Sequence, residues 1–216
     1  MTDRMDSRYH TDEGRVPGVV ITVALFCLVP EVILSGAEWG LWGTRHWRSL
    51  AMGYGAFWPG LLGNWTPNYP FQTETMFLSY GFLHAGLAHL AVNLMTLMSL
   101  GPVVAERAGT PGFLRIYGLS LLGGSLAYAL LSSTPAPMVG ASGALFGLAG
   151  AILSWEYRDR SDLRESLRPV LAAIAALVGL NLVLWWAMNG HLAWQAHLGG
   201  FVSGWLAASA RRKRTV

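Results

Sequence analysis

Apolar residues along this chain run in blocks. Six of them reach or approach the length that crosses a bilayer as a helix: 18–36, 82–101, 113–131, 138–155, 169–188 and 192–210. Short polar connections separate them, except for the long segment 37–76. The pattern predicts an all-α, polytopic membrane protein, a six-transmembrane-helix bundle over residues 18–210. A polar tail of mixed charge, 1–17, precedes it, and a basic tail, 211–216, follows.

Composition agrees with this reading. Of 216 residues, 53% are hydrophobic and only 12% are charged, a balance that a soluble domain of this size would not keep in solution. With six spans both termini share a side. Arg4, Arg8, Arg15, Arg107, Arg115, Arg158, Arg160, Arg164, Arg168, Arg211, Arg212, Lys213 and Arg214 fall there, against Arg45 and Arg48 opposite. Cationic residues concentrate on the cytoplasmic side, so both termini are expected in the cytoplasm. The Arg-Arg-Lys-Arg run then reports topology, and no nucleic-acid partner is expected. Cys27 is the only cysteine and cannot staple the chain. With no further span or soluble domain in view, a compact bacterial inner-membrane protein is expected.

The outer segment 37–76 carries Trp39, Trp42, Trp47, Trp58 and Trp65, half of the 10 tryptophans, and so is expected to lie folded in the membrane interface. Pro30 and Glu31, late in the first block, are read as lying near the outer interface. Residues 101–109 read as a cytoplasmic turn with Glu106 and Arg107, and 156–168 as a solvated charged connection. The third block, with Gly123 and Gly124, has the small residues of a packing helix. The fifth is apolar apart from Asn181 and poor in small residues through 180–186, so it is expected to pack less tightly than its neighbours.

Polar groups inside three other blocks carry the candidate chemistry. Ser142 follows Pro137 and lies between Gly140 and Gly143, which places it in the first turn of a helix, where backbone amides lack partners. The same stretch also fits a glycine-rich membrane helix with a packing serine. In the second block His89 and Asn93 share a helical face, whereas His84, five residues earlier, points away. That spacing speaks against a metal pair and for two hydrogen-bond donors aimed together, and an interhelical bond from Asn93 is equally compatible. In the last block His197 lies just outward of Gly200 and Gly204, a face that admits close backbone contact. Ser142 has a similar face through Gly143, Gly147 and Gly150. If the two pack, serine and imidazole meet at the same depth as a dyad, with no acidic third member available. No metal or other cofactor is implied.

These motifs, in this order, resemble the rhomboid family of intramembrane serine proteases: His84-x-x-x-x-His89-x-x-x-Asn93, Gly140-Ala141-Ser142-Gly143 and Ala196-His197-x-x-Gly200-x-x-x-Gly204. The resemblance implies Ser142 as nucleophile and His197 as general base. It implies an oxyanion hole from Asn93, His89 and the Ser142 amide, with His84 structural and Phe146 against the histidine. Glu106 is similar to the family's glutamate after the second span. The expected partners are membrane-protein substrates within the bilayer, cut near the outer ends of their spans at small residues. One departure stands out: many members carry a Trp-Arg pair about nine residues before the first motif histidine, where Thr75-Met76 stand here. Trp47-Arg48 lie far upstream. Two other readings remain open, an inactive rhomboid-like binder of transmembrane clients and a small channel or transporter.

Overall fold

The computed structural model describes residues 15–210, and among these the chain is all-helical. Most of the tails 1–17 and 211–216, with Arg4, Arg8 and the terminal basic run, lie outside the described residues. The elements are α1 (Gly18–Glu38), α2 (His46–Gly55), α3 (Gln72–Ser79), α4 (Leu87–Leu131), α5 (Ser142–Asp162), α6 (Arg168–Ala187) and α7 (Trp194–Ser209).

By length and composition α1, α4 and α6 can each cross a membrane. The 45 residues of α4 break at Gly109 (φ 69°, ψ 169°), so this element is two arms, 87–108 and 110–131. The expected turn at 101–109 is therefore helical as far as 108. The reversal waits for Gly109, whose left-handed φ costs glycine little, and Pro111 is pre-set to open the second arm. The two arms with α1, α5, α6 and α7 make six long helical segments.

Helix α7 has 16 residues and α5 ends in a charged turn, yet these two form the centre. Helix α5 is enclosed by protein over most of its length, which removes the need for an all-apolar circumference, whereas α7 keeps an exposed apolar stripe of Leu198, Val202 and Leu206. Helix α7 lies between α5 and the second arm of α4 with main chain against main chain. A methyl group on Gly200 would collide with the Gly143 carbonyl, one on Gly204 with the Gly147 carbonyl and one on Gly199 with the Gly123 carbonyl. Small residues permit this approach, and dispersion between closely packed backbones supplies association energy that lipid cannot provide as a hydrophobic effect. The third apolar block is thus a packing helix, its Gly124 facing the Ala196 carbonyl.

The outer segment is folded. Trp42 Nε1 donates to the Ile33 carbonyl and Trp58 Nε1 to that of Met52, both at 2.9 Å. Phe57 is fully buried, edge-on to Phe77, Tyr80 and Tyr128. At the opposite end Arg107 pairs with Asp159 at 2.7 Å. There Arg158 and Arg115 donate to the Ala208 and Ala207 carbonyls, neutralising the negative end of α7. Large apolar side chains such as Phe26, Met95, Leu130, Leu182 and Trp186 are exposed around the bundle, as befits an integral membrane protein. Helix α6 is the most peripheral long helix, with Val170 its one buried residue.

Candidate active site

Ser142 opens α5 on a stretch held at both edges. Phe57 and Met138 exchange two backbone hydrogen bonds of 2.9 Å, and the Gly140 amide donates to the Tyr80 carbonyl at 3.0 Å. Between them Gly140 adopts φ 120° and backs onto the His89 ring, so any side chain there would be strained and would strike the imidazole. Ala141 at the N-cap offers no side-chain acceptor. The first amides of α5 therefore keep their donors free at the positive end of the helix.

The glycine contacts then fix where α7 delivers its histidine. His197 is buried, and its Nε2 lies 2.9 Å from the half-buried Ser142 Oγ. Phe146, one turn below Ser142, stacks on the imidazole at a centroid distance of 4.2 Å and an interplanar angle of 6°. The other ring nitrogen, Nδ1, is 2.7 Å from Asn181 Oδ1 on α6. A serine hydroxyl donating to an imidazole nitrogen is the arrangement from which the oxygen can be deprotonated as it attacks.

Structure brings Ser142, His197, Phe146, Gly143, Gly200 and Gly204 together in one contact region and sets His89 behind it through Gly140. Asn93 is buried and spends one amide hydrogen on the His89 carbonyl at 2.8 Å, leaving the second for another acceptor. His84 is buried edge-on to His89 at a centroid distance of 5.1 Å. Its backbone carbonyl accepts from Arg48 Nη1 at 3.0 Å.

That last bond belongs to a cluster that sequence reasoning missed. Arg48 also donates to both oxygens of Glu31, at 3.0 and 2.8 Å, and to both oxygens of Glu38, at 2.7 and 2.8 Å. Glu31 is therefore withdrawn from solvent. It is 1% exposed inside the bundle and neutralised by a guanidinium that reaches down from α2. The two carboxylates hold Arg48 more firmly protonated than a free arginine. Through it α1, the outer segment and the chain at His84 are tied together. A carboxylate and an arginine 17 residues apart gave a faint signal, one in an apolar block and the other in a tryptophan-rich segment. Asn181 gave a clearer one, as the lone polar side chain of its block.

The Rhomboid domain family matches residues 71–214, a segment that holds every candidate site residue but neither Glu31 nor Arg48. "Rhomboid protease GluP" of Bacillus subtilis is 38% identical over 128 residues, 59% of this chain and 24% of that protein. "RHOMBOID-like protein 1" of Arabidopsis thaliana is 35% identical over 125 residues, 58% of this chain and 31% of that protein. "Rhomboid-related protein 3" of Homo sapiens is 28% identical over 138 residues, 59% of this chain and 34% of that protein. The chain thus spans about a quarter to a third of the length of these relatives. With the family matching well over half of its residues, the chain belongs to the rhomboid family.

Proposed function

We propose that this protein is an intramembrane serine endopeptidase that cuts transmembrane segments of other membrane proteins with a Ser142–His197 dyad. The observation that carries the reading is the 2.9 Å approach of Ser142 Oγ to His197 Nε2 within a stacked, glycine-fixed frame. A relative named as a rhomboid protease supports the reaction class.

In this reaction Nε2 of neutral His197 takes the Oγ proton as Oγ bonds to the scissile carbonyl carbon. The carbonyl π pair moves onto oxygen, where the Ser142 amide receives it, with His89 and the spare Asn93 hydrogen beside it. Collapse expels the amine, which takes the proton from His197. Water then repeats the sequence on the acyl-enzyme and frees Ser142. Substrate reaches the site from the bilayer, and both termini face the cytoplasm at the end marked by Arg107, Arg115, Arg158, Arg160, Arg164 and Arg168. A channel needs no hydrogen-bonded serine–histidine pair, and an inactive binder has no use for one.

The test is labelling of the purified protein with a fluorophosphonate, followed by mass mapping of cuts in tagged single-pass peptides. Labelling and cleavage are expected in the wild type and are lost in Ser142→Ala and His197→Ala. A folded wild type that neither labels nor cuts any peptide of the panel would overturn the proposal.

A further inference from the structure

Helix α6 touches the catalytic frame through Asn181, and the contact is to the reacting histidine itself. Asn181 Oδ1 lies 2.7 Å from Nδ1 of His197, while Nε2 of the same ring faces Ser142 at 2.9 Å. A neutral imidazole carries one proton, and which nitrogen holds it decides whether the ring can act as a base toward serine. An amide oxygen accepts and cannot donate. Asn181 in this orientation stabilises the Nδ1–H tautomer and leaves the Nε2 lone pair directed at the hydroxyl. The opposite tautomer would leave Asn181 Oδ1 facing a lone pair and would place an N–H against Ser142. Phe146 fixes the plane of the ring by stacking on its face, but a face-on contact does not distinguish the two nitrogens.

We propose that Asn181 is the positioning residue of the site, a neutral third member that selects the His197 tautomer and steadies the imidazolium formed during acylation. The proposal rests on the serine-protease reading above. In the proton transfer the Oγ proton goes to Nε2, the Nδ1 proton stays in place, and its bond to Asn181 becomes charge-assisted and stronger. Among the described residues no acidic group supports the histidine, and an amide serves the orienting role without placing a charge in the membrane interior. The residue stands on a helix whose one buried side chain is Val170, so the orienting contact is not locked by surrounding side-chain packing as the glycine contacts lock α7.

The experiment uses the full chain in detergent and compares wild type, Asn181→Leu and Asn181→Asp. Leucine keeps approximate size and removes the acceptor; aspartate restores an acceptor. Acylation by a small fluorophosphonate is timed, since this probe needs no passage for a transmembrane segment. Nitrogen-15 spectra of labelled histidine, with His197→Gln to assign the signal, report the tautomer independently of activity. Asn181→Leu is expected to acylate about 10- to 100-fold more slowly at unchanged melting temperature. It should also lose the Nδ1-protonated signal that the wild type shows, and Asn181→Asp should recover that signal. Acylation of Asn181→Leu at the wild-type rate, a loss confined to transmembrane substrates, or an unchanged tautomer would overturn the proposal. A wild type that is not labelled at all would instead sink the protease reading, while the spectra still decide the role of Asn181.

Discussion

Gly200→Ala is the most direct test of the frame that sets the serine–histidine distance. The added methyl would fall on the Gly143 carbonyl at a separation no real contact allows. Ordinary contact needs about 3.5 Å, so the helices must part by about 1 Å or more. Gly143 follows Ser142 directly, and Gly200 stands three residues after His197, within one turn. Most of that movement therefore reaches Ser142 Oγ and His197 Nε2. The Oγ–Nε2 distance would grow from 2.9 Å toward about 4 Å, beyond hydrogen-bond range. A misplacement of about 1 Å costs about 100-fold in rate, or about 2.7 kcal/mol of transition-state stabilisation. The assay is the second-order rate of fluorophosphonate acylation in detergent, read beside the thermal unfolding midpoint. Gly118→Ala is the control, because a methyl there meets nothing within 4 Å. Should Gly200→Ala acylate as fast as Gly118→Ala in folded protein, the glycine contact does not govern the dyad and the reasoning fails.

Replacing Phe146 by Leu removes an aromatic face from His197, and turnover is expected to fall about 3- to 10-fold, in line with about 0.5–1.5 kcal/mol for such a pair; an unchanged kcat would refute it. Arg48→Met leaves the fully buried Glu31 carboxylate without its guanidinium and with only the Ser35 hydroxyl as donor, so the protein should lose about 3–5 kcal/mol of stability, and Arg48→Met with Glu31→Met should regain most of it; the unfolding midpoint decides. Asn93→Ala is expected to lower kcat by about 10²–10³ with KM little changed, and a rise in KM alone would place Asn93 outside the oxyanion hole.

Much of this molecule is legible in its sequence because lipid imposes simple rules. Apolar blocks of spanning length became α1, both arms of α4 and α6, and the glycine faces of α5 and α7 could be paired before any coordinates. The turn expected at 101–109 differs from the structure, because Pro102 is accommodated within the arm and the chain turns only at Gly109. Periodicity is silent about contacts between residues far apart in sequence that depend on how a loop folds back. Arg48 on Glu31 and Phe57 on Met138 are of this kind. Asn181 was visible as a lone polar group, but its azimuth relative to His197 depends on the hairpin between α6 and α7.

The backbone-to-backbone seam between α5 and α7 has a consequence for how the bilayer acts on this protein. Where two helices meet through side chains, rotamers can give and the spacing can drift with lateral pressure or lipid thickness. Here carbonyls and α-carbons abut, and nothing between them is compressible. Changes in lipid will be felt by the rim, where Leu182 and Trp186 stand bare, while the gap between hydroxyl and imidazole keeps its width.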